Sequence, residues 1–425
     1  AQGWYDLADQ IAKDTVEQEE KDPFDDADVQ DFLERADEPG PWPEEYDKIH
    51  TVGGLSNDEE SGFMDFQKKM DDYDAELSAA EEEVEAATSV LKNKPLALMN
   101  SENVFNLEEK VAKIFRKKYG LMSNSGSSAN LLAMKSLDLP KGSKVITPSL
   151  TFITTVAPIV QSNLIPYFID VDLETLQIDT SLLNKLDLKD VTAIKVPNLI
   201  GNVANWEEIY NFAKNNNLLV IEDSADTIGY EYSTKLNDWS DVSTTSFFAS
   251  HVITGAGNGG LTAYKDEKHY LNAKSLRGWG RRSALYGETE DYDRRFNCKL
   301  DGMDYDDKFV FDDLGYNLLP SEVSAAFALE QLKKIEEKVN NRLSNFNYLK
   351  KAISKSKNMR GFSSYKNVKT GWMSFPLLLT NKLQGKRKDF QIFLEKSGIQ
   401  TRTVFTGNIL RQPVSKKFKW ESFGQ

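Results

Sequence analysis

The sequence predicts an α/β protein built on a mostly parallel sheet, and two observations support this class. Short apolar runs that suit buried strands recur between residues 145 and 223, and helical segments separate them. Polar residues follow several of these runs directly, which is where open parallel sheets bind their ligands. The chain has 425 residues, 40% of them hydrophobic and 28% charged, which is enough for one large or two medium domains with real cores.

The predicted elements begin at about residue 96. An amphipathic helix is expected over residues 107–119, and a second helix over 131–137 follows a turn of small residues. Residues 321–353 predict a long, nearly unbroken helical region. Buried strands are expected at 145–148, 165–170, 193–197 and 218–223.

These elements divide the chain into four parts. Residues 1–95 form an acidic N-terminal extension that we expect to be partly helical or disordered, and residues 96–320 form a large domain. A connecting helix at 321–355 leads to a smaller C-terminal α/β domain at 356–425.

The acidity of the chain is concentrated at its N-terminal end. Residues 1–90 contain 29 Asp and Glu against 6 Lys and Arg, a balance of -23, and the net charge of -14 therefore leaves +9 for the rest. Such an extension is either a solvated segment or a docking segment for a basic partner. Nucleic-acid binding is not expected, because the extension is acidic and the remainder carries no evident basic stripe.

Composition also limits the expected cellular location of the protein and the metal sites that it could contain. No apolar run approaches the roughly 20 residues of a membrane span, and the first residues lack a signal peptide pattern, so we expect a cytoplasmic protein without membrane contact. The single cysteine, Cys298, excludes an intrachain disulfide and an all-cysteine iron–sulfur cluster within one chain. With three histidines in all, no metal site is expected.

A turn of small residues at 123–130 is a candidate phosphate site. Its hydroxyls and the backbone amides at the following helix start suit a phosphate monoester. The alternative is an ordinary serine-rich helix cap. The segment matches neither G-x-G-x-x-G nor a Walker motif, so a nucleotide-binding glycine loop is not indicated.

Two residues after predicted strands are candidates for binding a flat, cationic ring. Asp223 ends a strand and would project a carboxylate at the sheet edge, where a protonated pyridine nitrogen could neutralise it. An N-cap role for Asp223 explains the local pattern equally well. Phe152 is a core aromatic by default, but it could stack on the face of such a ring.

His251 lies in a strand-like stretch, 246–260, that breaks into a glycine-rich loop. Imidazole has an unperturbed pKa of about 6.5 and can move protons near neutral pH. Unlike a lysine amine, it cannot bind an aldehyde cofactor covalently. A histidine at this position therefore favours a role in proton transfer and excludes covalent anchoring of the cofactor by this residue.

Five segments together resemble the DegT/DnrJ/EryC1/StrS family, the sugar aminotransferases and dehydratases among the type I pyridoxal-phosphate enzymes. The segments are 124–133, 145–172, 194–229, 246–262 and 314–332, within a match of about 96–413. The resemblance implies an aspartate aminotransferase-like fold, with a mostly parallel sheet flanked by helices and a smaller C-terminal domain. Because the chain ends before the family's last strands, we expect that domain to be incomplete.

Within the family, the sequence is most similar to the nucleotide-linked 4-keto-6-deoxysugar 3-dehydratases. The resemblance depends on segment 124–132, on Asp226 where the aminotransferases usually have glutamine, and on His251 in the position of the catalytic lysine. The tail segment 405–413 also resembles that branch. The setting implied is deoxysugar biosynthesis for lipopolysaccharide O-antigens.

The resemblance assigns a role to each matching position. His251 is implied as the catalytic base. The implied cofactor-binding residues are Gly126, Ser127, Ser128 and Ser246 at the phosphate, Phe152, Asp223 and Asp226 at the ring, and Asn317, which reaches the cofactor of the neighbouring subunit in a homodimer with composite active sites. The implied substrate contacts are Arg402, Asn408 and Arg411.

The implied reaction follows from the missing lysine. The cofactor, pyridoxal 5'-phosphate, would work in its pyridoxamine 5'-phosphate form, whose amine condenses with the sugar ketone while His251 removes a proton and the C-3 hydroxyl leaves as water. Glutamate would regenerate the amine. The cysteine count argues against the subtype that uses an iron–sulfur cluster. The nucleotide and the sugar stay open.

Two other functions are compatible with the sequence. A conventional nucleotide-sugar aminotransferase would need another lysine, such as Lys265 or Lys274, to reach the cofactor aldehyde. A non-catalytic binding protein could have kept the fold while its acidic extension recruits a partner.

Overall fold

The computed structural model describes residues 81–94, 96–232, 238–286 and 292–423. Residues 1–80, which hold most of the predicted acidic extension, lie outside this part of the chain. The described strands are β1 (Tyr119–Ser123), β2 (Lys144–Pro148), β3 (Ile165–Ile169), β4 (Val191–Pro197), β5 (Leu219–Asp223), β6 (Glu231–Tyr232), β7 (Val242–Ser246), β8 (Gly260–Tyr264), β9 (Cys298–Leu300), β10 (Met303–Tyr305), β11 (Met359–Gly361), β12 (Val368–Lys369), β13 (Leu377–Leu379) and β14 (Glu421–Ser422).

Helices cover the sheet and connect its strands. Residues 81–93 are helical. The further α-helices are α1 (Glu102–Ile114), α2 (Gly126–Ser136), α3 (Ile153–Gln161), α4 (Trp206–Asn215), α5 (Glu267–Arg277), α6 (Tyr292–Phe296), α7 (Glu322–Lys333), α8 (Ile335–Ile353) and α9 (Arg387–Lys396). Short 3₁₀ helices are found at Thr180–Lys185, Leu199–Gly201, Arg282–Tyr286, Asp307–Phe309, Asn381–Leu383, Ile409–Arg411 and Pro413–Lys417.

The main sheet of the described residues has eight strands in the order β1-β8-β7-β5-β4-β2-β3-β14. Neighbouring strands from β14 to β7 are parallel. The exception is β8, which runs antiparallel to both β7 and β1. The prediction of a mostly parallel α/β sheet flanked by helices is therefore confirmed. Three two-stranded ribbons pair β9 with β10, β11 with β13 and β6 with β12.

Both faces of the sheet are buried, as expected of parallel strands with crossover helices. Along β4, Ile194 and Val196 face a core that includes Trp206 of α4. Ala193 faces the opposite core, which includes Leu132 of α2. A side chain two residues from Ala193 on this strand therefore lies in the layer between the sheet and α2.

The four predicted strands are present with bounds shifted by at most two residues. The first predicted helix is displaced: it spans Glu102–Ile114, because Arg116 adopts a left-handed φ of 55° and β1 begins three residues later. The predicted long helix is two helices, α7 and α8, which meet at Lys334.

The second predicted helix was wrong at its start. Helix α2 begins at Gly126, five residues before the predicted Leu131, because Ser125 is its N-cap and accepts a hydrogen bond from the Ser128 amide at 3.1 Å. The small residues of the predicted turn thus form the first helical turn, whose amides carry the positive end of the helix dipole.

The C-terminal part contributes to the main sheet. β14 adds parallel to β3, with Glu421 opposite Tyr167, and Lys144 of β2 forms an ion pair with Glu421 at 2.7 Å. The division into four parts stays a prediction. Within the described residues, no helix combines the length and the apolar character that crossing a membrane requires.

Candidate active site

Most predicted cofactor residues lie along one edge of the sheet. β5 ends at Asp223 and β7 ends at Ser246, and Ser246 is opposite Gly260, the first residue of the antiparallel β8. Helix α2 begins at the same edge, because Ser125 forms a bridge with Gly259. The topology therefore brings Gly126, Asp223 and Ser246 together from three separate parts of the chain.

Asp223 is buried, with 3% of its surface exposed, and neutral donors hold its carboxylate. Its Oδ2 accepts hydrogen bonds from Asn130 Nδ2 at 3.0 Å and from Thr155 Oγ1 at 2.8 Å. Its Oδ1 accepts from the Ala225 amide at 3.3 Å. No Lys, Arg or His of the described residues forms an ion pair with it, so a cationic ligand atom could neutralise this buried carboxylate.

Asn130 and Thr155 were not predicted as site residues. Both are almost fully buried, and they reach Asp223 from the helices α2 and α3. Asn130 Oδ1 also accepts from Thr244 Oγ1 at 3.1 Å, which fixes the orientation of its amide group. The sequence signal that could have identified them is a polar residue on the buried face of each helix. Only the tertiary fold shows that both residues contact Asp223.

Gly126 and Ser246 form a narrow cradle at the start of α2. A Cβ atom on Gly126 would lie 2.4 Å from Ser246 Cβ and 2.6 Å from Ser246 Oγ, so a larger residue would displace the serine. Ser128 Oγ donates to Asn124 Oδ1 at 2.6 Å, and Ser125 Oγ donates to Ser128 Oγ at 3.0 Å. Ser127 is exposed in the same first turn. Hydroxyls and a helix N-terminus thus converge as a phosphate group requires.

His251 follows β7 in a loop that turns it back toward the strand end. Its Nδ1 lies 3.2 Å from the carbonyl oxygen of Ser246. Because a carbonyl oxygen only accepts, Nδ1 carries the hydrogen and Nε2 is left with its lone pair. Burial lowers the pKa of His251 from 6.5, so the imidazole is neutral at pH 7. This arrangement leaves Nε2 of His251 able to accept a proton.

Asp226 faces that base. Its Oδ1 lies 3.8 Å from His251 Nε2, and its Oδ2 accepts a hydrogen bond from the Ile200 amide at 3.0 Å. Burial raises the pKa of Asp226 to about 7, and this effect exceeds the opposing effect of the Ile200 amide. Burial thus raises the pKa of Asp226 and lowers the pKa of His251, which disfavours the charged form of both side chains.

Ile200, which orients Asp226, has an unusual backbone. It adopts φ 60° and ψ 22°, a left-handed conformation that is strained for a β-branched residue. Its carbonyl accepts from the Met373 amide at 2.9 Å, so the C-terminal part holds this loop in place. No sequence pattern predicted this contact.

Phe152 is exposed to 46% and precedes α3 as its N-cap residue. Its ring lies 5.7 Å from that of Phe405 at an interplanar angle of 55°. It is therefore not the core aromatic that its type suggests by default. A free ring face at the edge of the sheet is what stacking on a flat ligand requires.

The predicted substrate residues are less well connected to this edge. Asn408 forms a bridge with Leu150, next to the Phe152 loop. Arg402, with 73% of its side chain exposed, contacts Thr401 and Glu395, and Arg411 is exposed. Asn317 is also exposed and forms a bridge with Gly278. None of these three has a described contact with Asp223, His251 or Ser246.

The two lysines proposed for an aminotransferase have other partners. Lys265 follows the last residue of β8 and therefore lies at the opposite edge of the sheet, where it contacts Asp238 at 3.1 Å. Lys274 Nζ donates to the carbonyl of Leu285 at 3.0 Å. The amine of Lys265 is therefore not at the edge that carries His251, and the amine of Lys274 is held by a backbone carbonyl.

The donor set fits pyridoxal phosphate. A buried carboxylate without a contacting cation suits the ring nitrogen, the Gly126–Ser246 cradle at the start of α2 suits the phosphate, and Phe152 offers a free ring face. These features and the mostly parallel sheet define the class of protein, an enzyme that binds pyridoxal phosphate.

Comparison with known proteins identifies the family. The model of the DegT/DnrJ/EryC1/StrS aminotransferase family matches residues 78–422, and the chain belongs to this family. The chain is 34% identical to the lipopolysaccharide biosynthesis protein RfbH of Salmonella typhimurium, over 75% of this chain and 76% of that protein. It is 32% identical to the dTDP-4-dehydro-2,6-dideoxy-D-glucose 3-dehydratase of Saccharopolyspora spinosa, over 75% and 71% of the two chains.

A solved structure agrees with this assignment. The E. coli GDP-4-keto-6-deoxy-D-mannose 3-dehydratase with bound hydrated PLP superposes with a TM-score of 0.72 at 28% identity, covering 81% of this chain and 88% of that one. The resemblance predicted from the sequence motifs is therefore confirmed at the level of family, fold and dehydratase branch.

Proposed function

We propose that this protein is a nucleotide-linked 4-keto-6-deoxyhexose 3-dehydratase that works with pyridoxamine phosphate and uses His251 as its proton-transfer base. The observation that carries the proposal is the contact of His251 Nδ1 with the Ser246 carbonyl at 3.2 Å, which leaves Nε2 as a lone-pair base at the sheet edge. The names of the relatives support the reaction class, because two of them are 3-dehydratases of nucleotide-linked sugars.

His251 fulfils two requirements of a general base. Its lone pair points away from the Ser246 carbonyl, toward the side on which Asp226 lies. Its lowered pKa keeps it unprotonated at pH 7, so it can accept a proton without first losing one. The pKa of the neighbouring Asp226 is raised to about 7, so part of its carboxyl group is protonated near pH 7. The protonated fraction does not compete with His251 for the substrate proton.

The other residues hold the reacting groups. Asp223 binds the protonated ring nitrogen, and Asn130 and Thr155 keep its carboxylate in position. Gly126, Ser127, Ser128 and Ser246 bind the phosphate, and Phe152 stacks on the ring. When bound, the cofactor supplies an amine that condenses with the C-4 ketone and a ring that accepts electrons. His251 would take one proton from carbon and, as the imidazolium, would give a proton to the C-3 hydroxyl, which would then leave as water.

The partners follow from the same scheme. The substrate is a nucleotide-linked 4-keto-6-deoxysugar, for which Arg402, Asn408 and Arg411 provide contacts with the diphosphate or the sugar. Glutamate restores the amine of the cofactor. A homodimer completes each site, with Asn317 of one subunit reaching the cofactor of the other.

A trapping experiment tests the lysine-free site. The protein is incubated with pyridoxal phosphate, reduced with borohydride and analysed by intact mass and peptide mapping. We expect no covalent cofactor on the wild type and a label at position 251 in His251→Lys. His269→Lys is the matched control, because His269 lies on α5 and has no contact with the site, and it should stay unlabelled.

Two results would overturn the proposal. A label on a lysine of the wild type would make the protein an aminotransferase, the activity of other family members. A wild type that does not bind pyridoxal phosphate at all, measured by absorbance after gel filtration, would leave a fold without this chemistry.

A further inference from the structure

Lys195 is a fully buried lysine that none of the roles above uses. It lies in the middle of β4, its exposed fraction is 0%, and its Nζ has no hydrogen-bond partner among the described residues. Burying an ammonium group without a partner is energetically unfavourable. The charged groups around Lys195 therefore indicate whether this lysine has a role.

The strand register puts Lys195 behind the ring-binding carboxylate. Lys195 pairs with Ile221 of β5, and Pro197 pairs with Asp223. Lys195 and Asp223 are therefore on the same face of the sheet, with the lysine two residues deeper. Thr147, one residue beyond the Ile146–Ile194 pair, occupies the matching position of β2, and its buried Oγ1 also has no partner among the described residues.

Asp223 is the anion that faces Lys195. The other acid of β5, Glu222, lies on the opposite face, where Asn198 and Tyr230 donate to it. On the neighbouring strand β2, Lys144 is paired with Glu421. Helix α2 carries one charged side chain, Lys135, in its last turn, and α3 carries none. Burial lowers the pKa of Lys195 to about 8, while the charge of Asp223 raises it.

We propose that Lys195 is a positioning residue that supplies the buried positive charge for Asp223 before the cofactor binds and gives up that charge when the protonated ring nitrogen replaces it. The proposal rests on the cofactor site described under the proposed function. One N–H bond of the Lys195 ammonium breaks, and the proton leaves to solvent. The carboxylate of Asp223 thus faces one positive charge in both states, and the site is never left with two cations facing one anion.

Titration of Lys195 itself tests this role. Lysines are labelled with ¹³C at Cε in the full-length protein, and the Lys195 signal is assigned by its loss in Lys195→Met. Without cofactor, we expect titration near the value of about 8, far below that of exposed lysines. Asp223→Asn should shift this titration to lower pH, because the raising charge is lost. Lys135→Met is the matched control and should leave the signal unchanged.

Addition of pyridoxal phosphate completes the test. We expect the titration of Lys195 to move down by at least one pH unit when the cofactor is bound. An ordinary lysine titration near 10.5, or a titration that neither Asp223→Asn nor the cofactor moves, would overturn the proposal. If pyridoxal phosphate does not bind, the proposed function fails. The titration of Lys195 in the cofactor-free wild type and in Asp223→Asn still tests whether Lys195 is charged beside Asp223.

Discussion

The ring-binding half and the sugar-binding half of the candidate site are built differently. Asp223 is buried and held by donors from two helices, and His251 is oriented by a backbone carbonyl. Arg402 and Arg411, in contrast, are exposed near the end of the chain. Under the proposed function, the buried half would carry the shared chemistry, and the exposed half would carry the specificity for nucleotide and sugar.

The largest effect should come from the base. We expect His251→Asn to reduce dehydration by about 10²–10⁴-fold, the usual contribution of general base catalysis, while pyridoxal phosphate still binds. His269→Asn on α5 is the control and should keep full activity. Turnover of a nucleotide-linked 4-keto-6-deoxysugar and cofactor absorbance measure the two effects. Loss of cofactor binding with the activity would show that His251 mainly holds the cofactor.

The next effect concerns Asp223. In Asp223→Asn the carboxylate that neutralises the ring nitrogen is lost, and breaking such a buried pair costs about 3–5 kcal/mol, so turnover should fall by about 100-fold or more. Urea unfolding should change far less. Activity close to that of the wild type would contradict the role of Asp223 as the partner of the ring nitrogen.

The phosphate cradle gives a third test. Gly126→Ala introduces a Cβ atom at 2.4 Å from Ser246 Cβ, and the resulting shift should destabilise the fold by about 1–3 kcal/mol and weaken cofactor binding. Gly361→Ala, a matched glycine-to-alanine change on β11 that adds a Cβ atom 3.0 Å from Ile353 Cδ1, should leave the affinity for pyridoxal phosphate unchanged. Equal losses in the two variants would argue against a tight Gly126–Ser246 contact.

Asp226 gives a pH-dependent test within the buried half. Because its pKa is raised from 3.8 to about 7, the folded protein binds more protons than the unfolded chain between these values. The free energy of unfolding that Asp226 contributes is therefore present below pH 4 and lost as the pH rises through 7.

The neutral amide of Asp226→Asn lacks this dependence. The free energy of unfolding of the variant minus that of the wild type should increase by about 2–4 kcal/mol when the pH is raised from 4 to 7.5. Urea unfolding at both pH values measures it. A constant difference between the two proteins would show that Asp226 is ionised throughout.

The smallest effects should come from the exposed half. Arg402→Ala and Arg411→Ala remove solvated charges, each worth at most about 1 kcal/mol, so KM should rise less than about 5-fold with kcat unchanged. Steady-state kinetics with the nucleotide sugar test this. A drop in kcat as large as that of Asp223→Asn would mean that the two halves of the site are not distinct.

The sequence predicted the buried half more completely than its surroundings. Strand ends and family motifs predicted Asp223, Ser246 and His251 as site residues; the structure places all three at one edge of the sheet, and their roles stay predictions. Asn130, Thr155 and Ile200 were missed, since their importance depends on which strand or loop the fold brings next to them.

The fold shows the same division between local and long-range information. Apolar runs predicted four central strands within two residues, because burial on both faces gives a clear pattern. The start of α2 was misjudged, because a Ser-rich first helical turn resembles a loop. β14 was missed, since two residues, Glu421 and Ser422, form its whole pairing with β3.

One product analysis tests the central claim most directly. The purified protein, loaded with pyridoxal phosphate and supplied with glutamate, is incubated with GDP-4-keto-6-deoxymannose, and the sugar and the released ammonia are quantified by mass spectrometry and a coupled assay. We predict loss of the C-3 oxygen with one ammonia released per sugar, and neither in His251→Asn. Formation of a 4-amino sugar that retains its C-3 hydroxyl, without ammonia, would contradict the account.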